Sequence, residues 1–434
     1  MKSKKMLAQI AAFSLVFGMT GVVSSWADDI ILDGTNVTFK DNAIGLVKNE
    51  DGSFTVNNQD VKGVWLQNGS NLTANHVNFI NGGDGFSEIS VDDKSTLTVN
   101  GGSLDSGQDA FNVNDGSKAE VNEAKVTTGA WANNAAITLK NSTTSRNWLY
   151  AGNAFPDPED ENDKGPVKEG LPVGSITIDG GTASVKNVLV QNKGQFNVTN
   201  GAVLDVTKDT SATDSAWEQP ATGIMKGGEI VVRAWGPNNE WGEKENSDTI
   251  NKLDKATSFT VNGKSTIKAD AIDVTGNSYQ KHTARAKLMV NASSTVTANT
   301  MNVGKYGYTY FKDSQLTVNG KLSVSGAADG PTNPNPVGVE MHGSSATLNE
   351  VNVKDKGYID LDQTNITVKQ LTMDSSSAEI KGGSFKAGVI TVNGTDYEAD
   401  KGDAQITATN SKIELNNATF IKYGHADITN VSSR

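Results

Sequence analysis

Apolar and polar residues alternate along this chain in short bursts, and each burst ends in a turn-forming pair. The clearest form is an apolar residue followed by Thr-Val-Asn-Gly. It occurs as Leu97-Thr98-Val99-Asn100-Gly101, Phe259-Thr260-Val261-Asn262-Gly263, Leu316-Thr317-Val318-Asn319-Gly320 and Ile390-Thr391-Val392-Asn393-Gly394. Ile176-Thr177-Ile178-Asp179-Gly180 and Leu288-Met289-Val290-Asn291-Ala292 are close variants. Two apolar residues two positions apart point to one side of a strand, and the residue between them points to the other. Asn or Asp followed by Gly then supplies the positive-φ positions of a tight corner. Strand-plus-corner units repeated in this way predict stacking into a coil of parallel strands.

The fold expected is therefore all-β: a single right-handed parallel β-helix with projecting loops. In a coil of one layer, each parallel strand has one face on the core and one in water, so strict alternation is compatible with parallel pairing. The spacing from Phe259 to Leu288 is 29 residues and from Leu288 to Leu316 is 28. Both match one turn of a three-sided coil, which takes roughly 20–30 residues. Phe196 to Phe259 is longer and must hold an insertion. On the order of fifteen rungs about 4.8 Å apart would make a rod roughly 70 Å long. Corner Asn residues are expected to align from rung to rung as amide ladders. Two stretches break the rhythm and are expected to project from the coil: 141–174, with Phe155-Pro156-Asp157-Pro158-Glu159, and 208–256, with three Trp. Gly330 to Pro336 reads as a shorter exposed loop.

Composition agrees with this picture. Of 434 residues, 36 % are hydrophobic, with 44 Gly and only 9 Pro, and Val, Ile, Thr and Asn occur in alternating order. A length beyond what one compact core supports, without a boundary between unlike halves, suits a fold whose core grows in one dimension. Residues 1–27 read as a signal peptide. Lys2, Lys4 and Lys5 precede the apolar run Met6 to Val23, and Ser25-Trp26-Ala27 offers small residues for cleavage. The domain expected to fold is 28–434. The formal net charge of −12 becomes −15 once the three Lys of the leader are removed. Such a surface repels nucleic acid and anionic lipid, so no nucleic-acid partner is expected. There is no cysteine, so stability has to come from stacking rather than disulfides.

Catalytic and ligand motifs are sparse. Gly263-Lys264-Ser265 resembles the tail of a phosphate loop, but Ser258 stands where the first Gly belongs and Ile267 continues a strand. Gly82-Gly83-Asp84-Gly85 resembles one fragment of a calcium nonapeptide repeat, without the adjacent turns that share the ion. His76, His282, His342 and His425 are scattered, and neither a His-Glu-x-x-His nor a Gly-x-Ser-x-Gly pattern is present. Lys401-Gly402-Asp403 is an integrin-type tripeptide that three residues produce readily by chance. Tyr358-Ile359-Asp360-Leu361-Asp362 sets two carboxylates on one strand face, the arrangement of several β-helix lyases and glycosidases, with no cation at a matching sequence spacing. No metal, cofactor or catalytic constellation is expected. Contact is expected instead from aromatics on the excursions: Trp148, Tyr150, Trp217, Trp235 and Trp241.

The leader, the missing cysteine, the acidic balance and the irregular apolar-Thr-Val-Asn-Gly rungs together resemble the passenger of a bacterial autotransporter, the pertactin-like β-helix adhesins. The resemblance covers Asp28 to the C-terminus and is one of style. It implies a rod displayed outside the outer membrane of a Gram-negative cell, or secreted or periplasmic. Such a rod would contact a host or bacterial surface protein or glycan. One departure is plain: Thr409 to Arg434 is still rung-like, where the family ends in a membrane β-barrel. The expectation is then a separate outer-membrane translocator, or a cover for the last rung from a partner or from further chain. A polysaccharide lyase or glycoside hydrolase built on Asp360 and Asp362, and an inert structural spacer, are the alternatives.

Overall fold

The computed structural model describes residues 30–34, 36–37, 46–80, 89–105, 111–145, 148–152, 171–191, 193–207, 227–234, 257–279, 282–326, 338–394, 404–430 and 432–433. Residues 1–29, where the leader is expected, lie outside that set, as do Gly82 to Gly85, Gly330 to Pro336 and Lys401 to Asp403. Among the described residues every regular element is a strand. No helix there is long and apolar enough to cross a membrane.

The strands wind into a parallel β-helix with three faces. The first face begins at Ile30–Asp33, which pairs in parallel with Val64–Gln67. The second begins at Phe54–Asn57 and the third at Asp60–Val61, both stacked on Asn71–Phe79. On the second face fourteen successive parallel pairings, hence fifteen strands, run without a break from Phe54–Asn57 to His425–Thr429. In the C-terminal half, long strands such as Ser345–Lys354 and Asn365–Asp374 bend at a corner and serve the third face and then the first.

Alternation decides which side chains enter the coil. Ile359 and Leu361 point in while Tyr358, Asp360 and Asp362 point out, and every rung repeats this. The buried aliphatic set is one continuous column from Ile30 to Ile413. Phe196 lies directly over Phe259, with ring centroids 4.9 Å apart and planes within 12°. The 63-residue gap between them is thus a single turn.

Corners follow the chemistry of the turn residues. Between the second and third faces a left-handed residue recurs on successive rungs, among them Asn141, Asp313, Gln363 and Asn410. Each donates its N–H to the next rung, as Asn141 does to Asp179 and Gln363 to Lys381. A buried hydroxyl follows it: Ser142, Ser314, Thr364 and Ser411. These hydroxyls satisfy main-chain groups that would otherwise be stranded inside the corner. Ser344, for example, accepts from the Ser314 N–H at 3.1 Å and donates to the His342 carbonyl at 2.9 Å. Gly263-Lys264-Ser265 is one of these corners, with the Ser265 Oγ donating to the Asn262 carbonyl at 2.6 Å. The expected amide ladder is present as well. Asn122 donates to Asn100, Asn100 to Asn75 and Asn75 to Asn57, at 3.0, 2.9 and 2.8 Å.

Three readings of the sequence need adjusting. The copies of the tetrad do not share a face: Leu97 and Phe259 lie on the second, Leu316 on the third and Ile390 on the first. Leu288 is therefore followed on its own face by Thr309 and not by Leu316. The stretch 141–174, expected to project, contains Thr143–Ser145 and Trp148–Gly152, which are rung strands. The stretch 208–256 is interrupted by Glu229–Arg233, which pairs with Asn187–Gln191 on one side and Thr266–Thr275 on the other. One small departure from the coil, unforeseen in the sequence, is the antiparallel pair Asn277–Tyr279 with His282–Ala284.

Candidate functional site

The richest grouping of chemistry lies on the outer side of the second face, across four adjacent strands: Gly307–Lys312, Gly338–His342, Tyr358–Asp362 and Ser377–Lys381. Register places their outward residues in three columns. Tyr310, Glu340, Asp360 and Glu379 form the middle one. Tyr308, Gly338, Tyr358 and Ser377 form one flank, and Lys312, His342, Asp362 and Lys381 the other. Gly338 leaves a gap between two tyrosines, and a Cβ there would lie 1.9 Å from the Tyr358 carbonyl oxygen.

Hydrogen bonds and charge tie the columns together. The Tyr308 hydroxyl donates to Glu340 Oε2 at 2.9 Å, and the Tyr358 hydroxyl bonds Asp360. His342 lies between two acids, with Nδ1 3.3 Å from Asp362 Oδ2 and Nε2 3.7 Å from Glu340 Oε2. Its ring centroid is 5.2 Å from that of Tyr310, which stacks at 6.4 Å on Tyr308. Lys381 approaches Glu379 at 2.9 Å and Asp360 at 4.0 Å. Burial, then the neighbouring Glu340 carboxylate, pushes the Tyr308 hydroxyl far above the ordinary phenol range. Burial, then the bond to Asp360, does the same to Tyr358. Burial and Glu340 also raise Tyr310. Lys381 is raised too, first by its bond to Glu379 and then by Asp360.

Asp360 is the least settled member. Its side chain is only 14 % exposed, and its Oδ1 is buried with no hydrogen-bond donor on it. Four carboxylates share the patch with two ammonium groups, Lys312 and Lys381, so it is anionic, faced with phenol rings and rich in acceptors. It suits polyhydroxylated or cationic groups that donate hydrogen bonds and lay an apolar side on an aromatic ring. Among the described residues no group of three or more His, Cys, Asp or Glu is placed to hold a metal ion. Of this grouping the sequence singled out the Asp360–Asp362 pair. The cation that sequence spacing did not reveal, Lys381, comes from the next rung, and Tyr308, Tyr310, Glu340 and His342 come from earlier ones.

The aromatics expected to make contacts are placed differently. Trp148 is half-buried on the outer side of the first face. Tyr150 is 4 % exposed, with its ring 5.6 Å from Trp131 and its hydroxyl accepting from Gln191 Nε2 at 3.2 Å. Burial pushes that hydroxyl up to about 12. Tyr150 is thus a packing residue and not a surface one, because its hydroxyl has a partner within the protein. Trp217, Trp235 and Trp241 lie outside the described residues. On the same face Trp65 bonds the side chain of Asp92, which also accepts from Ser90 Oγ at 2.7 Å and Asn114 Nδ2 at 2.7 Å. Burial raises the Asp92 carboxyl despite these donors. No family model matches this chain, and no curated protein or solved structure matches it either.

Proposed function

We propose that this chain is a non-enzymatic contact rod, exported by its leader and displayed at the cell surface or secreted. In this reading it acts as an adhesin-like β-helix of the autotransporter-passenger kind, with a translocator supplied separately. The observation that carries the reading is the tyrosine–carboxylate–histidine patch from Tyr308 to Lys381, held on four rungs of a stiff coil. A rigid parallel sheet presents such groups at fixed spacing, so a surface protein or glycan meets them without first ordering them. The acidic balance supports partners that donate hydrogen bonds or carry positive charge.

The test compares the purified chain with a Tyr310→Ala/Asp360→Asn variant for retention on host-cell layers and on immobilised glycans. Loss of about tenfold in affinity, or about 1.4 kcal/mol, with unchanged β-type circular dichroism is the expected result. Equal retention by the variant would move the contact elsewhere. A second variant with Trp217, Trp235 and Trp241 all changed to Ala then examines the excursions. Substitution is the right tool there, since excising 208–256 would also remove the rung strand Glu229–Arg233.

A second reading, a polysaccharide lyase or glycoside hydrolase, is favoured by the unpartnered Oδ1 of Asp360 between Glu340 and Glu379. Rung spacing of about 4.8 Å is close to the roughly 5–5.5 Å separation of a retaining carboxylate pair. Glycan cleavage that disappears in Asp360→Asn would replace the adhesin reading with this one. A spacer without ligands predicts that neither variant changes retention.

A further inference from the structure

Seven Asn-Gly pairs punctuate the chain, and six lie among the described residues: Asn68-Gly69, Asn100-Gly101, Asn200-Gly201, Asn262-Gly263, Asn319-Gly320 and Asn393-Gly394. In five of them the groups that could react with each other are engaged elsewhere. The Gly69 N–H donates to the Asp93 carbonyl at 2.9 Å, and the Gly201 N–H to the Gly263 carbonyl at 2.8 Å. The side chains of Asn68 and Asn200 donate to Asp33 and Asp179. Asn100 accepts from Asn122 and donates to Asn75 within the amide ladder. Asn319 donates to Asn299 at 3.5 Å, and Asn393 to Asp374 at 3.2 Å. Asn262-Gly263 is different. Gly263 turns the corner at φ +65°, and its N–H donates at 2.9 Å to the Oδ1 of Asn262 itself. The buried Ser265 hydroxyl donates at 2.6 Å to the main-chain carbonyl of Asn262. That carbonyl shares a peptide group with the Gly263 nitrogen, so the bond draws charge from the nitrogen and makes its proton easier to lose. The Asn262 side chain is exposed to water.

We propose that Asn262 is a site of self-modification, where the corner converts to aspartate and isoaspartate. The Gly263 nitrogen, giving up its proton to water, attacks Cγ of Asn262. A new N–C bond forms, the Cγ–Nδ2 bond breaks, and Nδ2 takes a proton from water and leaves as ammonia. The product is a five-membered imide. Water then adds to either imide carbonyl and opens the ring, to aspartate or to isoaspartate. Water is the sole co-reactant, and nothing is oxidised or reduced. The existing hydrogen bond holds the nitrogen beside the carbonyl it attacks, and rotation about the last side-chain torsion, which is soft in Asn, completes the approach. Isoaspartate adds one carbon to the main chain at this corner. The Gly263 carbonyl accepts from the Gly201 N–H at 2.8 Å, and the Lys264 N–H donates to the Ala292 carbonyl at 3.0 Å. The extra atom therefore disturbs the rungs on both sides.

The test ages the folded chain in mildly alkaline buffer and follows each Asn-Gly peptide by mass spectrometry, with chromatography resolving isoaspartate from aspartate. Asn262 should convert about tenfold faster than any of the other five, equivalent to about 1.4 kcal/mol in the barrier. In urea, where the corner is lost, the six rates should converge. The aged chain should also lose hydrogen-exchange protection in the flanking strands Thr257–Val261 and Ala286–Val290. An Asn262→Gln chain, whose longer side chain closes a six-membered ring far more slowly, should keep that protection on ageing. Equal rates among the six pairs in the folded chain would overturn the proposal. So would the same preference for Asn262 in urea, which would place the cause in the local sequence. Equal loss of protection in the aged Asn262→Gln chain would overturn it as well.

Discussion

At the scale of single residues, the sequence signals that proved most informative were the corner pairs, and their chemistry explains why. Asn, Asp and Gly tolerate the left-handed conformation, and Asn141, Asp313 and Asn410 all adopt it. The hydroxyl that follows was not legible as a structural part, because Ser and Thr are common wherever a chain is polar. Only stacking discloses that Ser142, Ser314, Ser344 and Thr364 point inward and complete the main chain. Ser344→Ala removes the acceptor of the Ser314 N–H in a place that no solvent reaches. It should cost about 1–3 kcal/mol in urea unfolding. Ser345→Ala, one residue later and pointing outward, should stay within about 0.5 kcal/mol. Equal effects at the two positions would mean that the buried hydroxyls are fillers and not partners.

At the scale of elements, alternation told which residues face inward but not which of three faces a strand joins. A tetrad such as Leu316 to Gly320 is the same local object on any face, so its place is set by the residue count of the preceding turn. Inserted loops disturb that count, and this is why Leu288 and Leu316 looked like neighbours. The same limit concealed the tyrosine–carboxylate patch, whose members come from strands 19–30 residues apart in sequence. Packing onto a strand also changes what an aromatic does. Tyr150 holds its proton up to about pH 12 in the folded chain, against about 10 when unfolded. Its contribution to stability is therefore complete below pH 10, and declines as pH rises through 12, because the unfolded chain releases the proton first. Each unit of separation corresponds to about 1.4 kcal/mol. At neutral pH Tyr150→Phe should be less stable by about 1 kcal/mol, having lost the Gln191 bond. Between pH 10 and 12 that deficit should vanish or reverse in alkaline unfolding. A constant difference across this range would show that the hydroxyl is not held neutral by burial.

At the scale of the whole molecule, a core that is one continuous column has no centre, so its stability varies along the axis. Burial is tighter toward the N-terminal half. Phe54, Val56, Leu97 and Val99 are at most 1 % exposed, whereas Ile359, Phe385, Ile406 and Ile413 are 6–8 % exposed. An apolar void of about 30 Å³ also lies in the C-terminal half, lined by residues that include Met341, Leu361 and Ala378. Both observations place the looser stacking in the C-terminal half. Nearest-neighbour coupling then makes damage local: a defect loosens adjacent rungs, and its influence fades with distance. Leu361→Ala enlarges the existing void and should cost about 2–5 kcal/mol where it is felt. In hydrogen exchange, protection should fall across 338–394 and 404–430 while 54–80 and 111–140 keep theirs. A globular protein with a single core would lose protection everywhere at once after the same change. Uniform loss in Leu361→Ala would therefore mean that this rod unfolds as one cooperative unit, and that its rungs are not the independent layers their stacking implies.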